Sequence, residues 1–118
     1  MIMNKNAMLI SDDPSFLFMM TTILDQFELQ LLNIENEEKL WEEINEKKPS
    51  IVIWDLENRQ DIQKIKREFS HYVPENCHIL FFVDNISELS HLNNGKIHLI
   101  EKPFSPNEIS QFLKQTIV

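Results

Sequence analysis

The stretch Ile51-Val52-Ile53-Trp54-Asp55 constrains this chain most. Four consecutive apolar residues, three of them β-branched, follow the breaker Pro49 and stop at a carboxylate. Such a run reads as a strand buried on both faces at the centre of a parallel sheet. In open α/β sheets, ligands sit in the crevice beyond the carboxyl ends of the strands. An acid in the last position of the central strand therefore points to where chemistry would occur.

The rest of the chain alternates around that strand. Ala7 to Ile10 is a short apolar strand, and Asp13 before Pro14 is an N-cap with proline at the first helical position. Phe16, Leu17, Met20, Ile23, Leu24 and Phe27 recur at helical spacing after it. Leu29 to Ile34 suits a second strand. Glu37 to Lys47 predicts a second helix with the stripe Leu40, Trp41, Ile44, its acids leading and Lys47 and Lys48 closing, as the helix dipole favours. A third helix is predicted from about Asp61 to His71, with Ile62, Ile65 and Phe69 inward. Pro74 breaks the chain before a fourth strand, His78 to Val83. Ile86 to Leu92 reads as a short helix, Asn93-Asn94-Gly95 as a turn and Lys96 to Ile100 as a fifth strand. Ser105-Pro106-Asn107-Glu108 is a capping box with proline at N1, and Ile109, Phe112, Leu113 and Ile117 follow at helical spacing. Five strand–helix pairs predict an α/β fold: a doubly wound five-stranded parallel sheet with helices on both faces and right-handed crossovers.

Several function classes drop out. A net charge of -8 without a basic patch disfavours nucleic acid and anionic membrane surfaces. The single glycine, Gly95, rules out a glycine-rich phosphate loop. The lone Cys77 has no disulfide or metal-ligand companion, which fits a reducing, cytoplasmic setting. No signal peptide or membrane span is visible. His71, His78, His91 and His98 lack helical i,i+4 spacing, so no histidine metal site is expected. Trp41, Trp54 and the pair Phe81-Phe82 read as core, with Trp54 facing opposite to Asp55.

Three polar features follow strands one, three and five: Asp12/Asp13, Asp55, and Lys102 within Glu101-Lys102-Pro103-Phe104. In a doubly wound sheet those ends can meet at the switch point. Here the sequence resembles the receiver domain of two-component response regulators over nearly its whole length. The apolar strand ending in Asp55 and the Lys-Pro-Phe before the last helix carry the resemblance. It implies a flavodoxin-like receiver fold over residues 1–118, acting without an output domain in this chain, although a piece of a longer regulator stays open. It also implies that Asp55 accepts a phosphoryl group from a histidine kinase or phosphotransfer protein. Lys102 would contact that group. Mg²⁺ would sit on Asp12, Asp55 and the backbone carbonyl of Glu57, with Asp13 ranking behind. Two carboxylates ~4 Å apart repel by about 4 kcal/mol at an effective dielectric near 20, which a divalent cation removes. The domain would be no enzyme beyond its own phosphorylation and dephosphorylation, and would signal through the Ile86–Ile117 face.

The sequence also departs from that family. Aligning on Pro14 puts Ser11 where the first of two acids stands, so the pair reads Ser11/Asp12 in preference to Asp12/Asp13, and Mg²⁺ is weak or absent. The family's hydroxyl after the fourth strand falls to Val83, or to Asp84 one residue on. Its aromatic switch position is Leu99. Residues Asn58 to Asp61 replace the usual Met-Pro and Gly. An atypical receiver follows, with a phosphorylation-independent interaction module as the alternative, in which Lys102 only pairs with Asp55. An unrelated domain of the same fold binding a small ligand ranks third.

Overall fold

The computed structural model describes residues 6–34, 39–55, 64–65, 67–68, 71, 76–84 and 96–116. Its strands are β1 (Asn6–Ile10), β2 (Gln30–Asn33), β3 (Ile51–Asp55), β4 (His78–Val83) and β5 (Ile97–Glu101). Its helices are α1 (Pro14–Asp25), α2 (Leu40–Lys47) and α3 (Pro106–Thr116), and Lys64, Ile65, Arg67, Glu68 and His71 also have helical backbone. All strand pairs are parallel, in the order β2-β1-β3-β4-β5. The apolar run Ile51–Trp54 is therefore central, as a strand buried on both faces must be.

Alternation along the strands divides the core into two layers. Ala7, Leu9, Ile51, Ile53, Leu80 and Phe82 face α1 and α3, where Phe16, Met20, Leu24, Ile109 and Leu113 meet them. Met8, Ile10, Val52, Trp54, Phe81, Val83 and Leu99 face the other way, onto Leu40 and Ile44 of α2 and onto Ile65. Trp54 thus lies in the layer opposite to the one that Asp55 continues from Ile51 and Ile53. On that second layer Trp41 Nε1 donates to Glu68 Oε2 at 2.9 Å, tying α2 to the helical residues after β3.

The helix ends follow their local chemistry. Asp13 Oδ1 accepts from the Ser15 N–H at 2.9 Å, with Pro14 in the first turn of α1. Ser105 and Glu108 exchange backbone-to-side-chain bonds of 3.2 and 3.3 Å at the start of α3. Lys48 closes α2 in the left-handed region at φ 48°.

Most boundaries match the expectation, with small differences. Phe27 lies in the turn after α1, yet still packs on the α1/α3 layer. The second strand is Gln30–Asn33, not Leu29–Ile34. It is an edge strand paired only with β1, and its polar ends are exposed. The fifth strand starts and ends one residue later, because Glu101 still pairs with Val83. The expected helix Ile86–Leu92, the turn 93–95, the start of α2 at Glu37, and Asp61, Ile62, Phe69 and Ile117 lie outside the described residues. Among those described, no helix is long and apolar enough to cross a membrane.

Candidate functional site

The site is built at the carboxyl rim of β3. Register pairs Ile10 with Trp54, so Ser11, one residue beyond β1, stands beside Asp55. Ser11 Oγ donates to Asp55 Oδ2 at 3.2 Å and accepts the Asp13 N–H at 3.1 Å. The serine hydroxyl thus joins the mouth of β1 to the central acid while holding the start of α1 in place.

Lys102 arrives from the far side. β5 pairs with β4 and β4 with β3, so the lysine side chain spans the width of β4. Its Nζ lies 2.5 Å from Asp55 Oδ1, with the Asp55 side chain 15% and the Lys102 side chain 29% exposed. Oδ1 is shut off from solvent and accepts no hydrogen bond of regular geometry. The ammonium is still its partner, because attraction between opposite charges has no angular requirement. Without it a nearly buried carboxylate oxygen would be left uncompensated.

An aromatic trio fixes the loop that carries Lys102. Phe82, the register partner of Asp55, packs against Phe104 with ring centroids 4.5 Å apart. Phe16 of α1 stands edge-on to both, at 5.0 Å from Phe82 and 5.9 Å from Phe104. Lys102 N–H also donates to the Val83 carbonyl at 2.8 Å, and the Lys102-Pro103 peptide is cis. From the sequence, Phe16 and Phe82 read as core and Phe104 as part of the Lys-Pro-Phe motif. Their meeting under the lysine depends on tertiary placement, which no spacing reveals.

The structure brings Asp55, Lys102 and Ser11 together. Asp12 follows Ser11 and is exposed; Asp13 is engaged as the α1 cap. Glu57 lies outside the described residues. Val83 does not face the site: it is buried in the Trp54 layer, so as a switch position it is corrected by strand alternation. Asp84, the next residue, lies just beyond the end of β4 and is exposed. Leu99 is buried in the same layer as Val83, packed as an ordinary core residue.

This donor set fits a divalent cation poorly. Both Asp55 oxygens already face donors, Ser11 supplies a hydroxyl where a second charge would serve, and the described residues hold no group of three or more His, Cys, Asp or Glu able to bind a metal. What the arrangement can do unaided is present one carboxylate, oriented by a hydroxyl and next to a fixed positive charge, at the rim of the sheet.

No family model and no curated protein matches the sequence. Solved structures do match. The N-terminal domain of the nisin resistance regulator NsrR, a lantibiotic response regulator, is similar at 18% identity and TM-score 0.78, covering 98% of this chain and 100% of that one. A response regulator from Thermotoga maritima aligns at 14% identity and TM-score 0.73, covering 98% of both chains. The Vibrio cholerae chemotaxis protein CheY4 aligns at 12% identity and TM-score 0.72, covering 98% and 100%. The chain shares the receiver fold of these structures, a doubly wound sheet of order β2-β1-β3-β4-β5 with a core on both faces.

Proposed function

We propose that this chain is an atypical receiver module of two-component signalling, with Asp55 as the phosphoryl acceptor. The observation that carries the reading is the convergence of Lys102 and Ser11 on the two oxygens of Asp55, at the ligand-binding rim of a receiver fold. An Asp55 oxygen attacks phosphorus in line, and the bond to the donor's leaving nitrogen breaks. Lys102 then shifts its charge from the carboxylate to an equatorial phosphoryl oxygen, where it offsets the charge of the transition state. Ser11 holds the carboxylate in its rotamer by donating to Oδ2.

The donor would be a histidine kinase or phosphotransfer protein, in the cytoplasm. The output would be a change in protein contacts on the face formed by β5, α3 and the residues from Ile86 onward. The module is no enzyme beyond turning over its own phosphoryl group. Any Mg²⁺ would rest on Asp12, Asp55 and the Glu57 carbonyl, and would bind weakly because Ser11 brings no charge.

The test is incubation with acetyl phosphate at millimolar Mg²⁺, read by intact mass. A gain of one phosphoryl group, absent in Asp55→Asn, supports the reading; an unmodified chain overturns it. A second reading, a phosphorylation-independent interaction module, draws on the neutral Ser11, the acidic Asp84 and the packed Leu99. It requires Asp55→Asn to bind a partner as the parent chain does.

A further inference from the structure

At the end of the sheet away from Asp55, two imidazoles face each other. His78 opens β4, and His98 is the second residue of β5. Leu80 is the register partner of His98, so His78 is its diagonal neighbour on the same face of the sheet. His78 Nδ1 and His98 Nε2 are 3.1 Å apart. The ring centroids are 5.2 Å apart, which puts both nitrogens close to the line joining the rings. That spacing suits a proton held between the two nitrogens. Phe112 of α3 stands edge-on to His98, centroids 4.8 Å apart at 67°. Two strands and the last helix are therefore joined through one pair of titratable rings.

The pair can hold one bridging proton. With both rings neutral, or with one of them cationic, one nitrogen donates and the other accepts. With both rings cationic, two N–H groups confront each other and the bridge is lost. We propose that His78, His98 and Phe112 form an acid-sensitive latch, which holds α3 against the β4–β5 edge until both imidazoles are protonated.

The surroundings set its range. Burial, then the charge of Lys96, holds His78 below the ordinary histidine range. Burial, then the charge of His78, does the same for His98. From β3, Ile51 is apolar, and the Ser50 carbonyl accepts the His78 backbone N–H. From α3 the ring of Phe112 faces the pair, while Glu108 and Lys114 are exposed. Cys77 lies in the opposite layer with its thiol pushed up to about 12, hence uncharged. Folded pKa values below the unfolded 6.5 mean that the unfolded chain binds more protons in acid. The latch is fully effective above that value and is lost as pH falls through the folded range.

The test uses the full chain, with ring nitrogen signals and amide hydrogen exchange followed by NMR from about pH 7.5 to about pH 4.5. The two rings are expected to titrate in two coupled steps below 6.5. On the lower step the amides of Gln111 to Lys114 should lose about tenfold more protection than those of α1. Independent titration at the ordinary histidine value, or α3 protection that ignores pH, overturns the latch. His98→Gln and His78→Gln should each abolish the acid-induced change in α3, and a response equal to the parent's overturns the proposal. Should either variant fail to fold, the parent titration alone decides. Asp55→Asn is expected to keep the whole response, so failure of the phosphoryl reading leaves this one standing.

Discussion

Asp55 and Lys102 depend on each other unequally. The carboxylate is the more enclosed partner, and its Oδ1 has no other donor among the described residues. Lys102 has a flexible stem and more solvent access, so it can turn to water if the acid is neutralised. Lys102→Met should therefore lower stability by about 1–3 kcal/mol, and Asp55→Asn by less. Urea midpoints of the two single variants and the double variant measure this, and an equal loss in both singles contradicts it. Ser11 permits a second residue-scale test. Ser11→Asp adds a carboxylate beside Asp55, so it should destabilise the metal-free chain and raise Mg²⁺ affinity at least tenfold, read by titration calorimetry.

Among the elements, the loop between β5 and α3 is held by side chains more than by backbone pairing. Phe82 is fully buried between Phe16 and Phe104. Phe82→Ala should cost about 3–5 kcal/mol and free the Lys102 loop, seen as new proteolytic sensitivity there. At the end of α2, Lys48 adopts φ 48°, where a Cβ is unfavourable. Lys48→Gly is expected to raise stability by about 0.5–1 kcal/mol in thermal unfolding, with no effect at Asp55. The caps at Asp13 and Ser105 were legible in the sequence because they are local chemistry: an acceptor side chain, a proline and a free N–H within one turn. The aromatic trio and the histidine pair were not. Each joins residues far apart in the chain, and nothing in the spacing of Phe16, Phe82 and Phe104 distinguishes a shared contact from three separate core positions.

For the molecule as a whole, alternation of strands and helices was readable because hydrophobic period and breaker residues act over short windows. The choice of rim followed once Ile51–Asp55 was placed at the centre, whereas the order β2-β1-β3-β4-β5 is a finding of the structure, since doubly wound sheets of other orders show the same alternation. Hidden from the sequence was the side of the sheet taken by the residues closing β4, which removes Val83 from the site. Stability of the whole should be greatest over a neutral plateau. Below about 6.5 the two shielded histidines favour the unfolded chain. Above about 9 Cys77 does so, because its thiol ionises only after unfolding; its folded pKa is pushed up to about 12 by burial. Denaturant midpoints across pH should fall on both flanks, and Cys77→Ala should flatten the alkaline one.

The two-layer core has an optical consequence. Trp54 precedes Asp55 in the chain, yet the sheet itself stands between its indole and whatever occupies the crevice. A small ion arriving at the carboxylate makes no contact with that indole, and reaches its emission through the ion's field or through movement of β3 against its neighbours. A fluorescence change on phosphorylation that Trp41→Phe leaves intact would therefore belong to Trp54 and report an effect carried through the sheet to its other side.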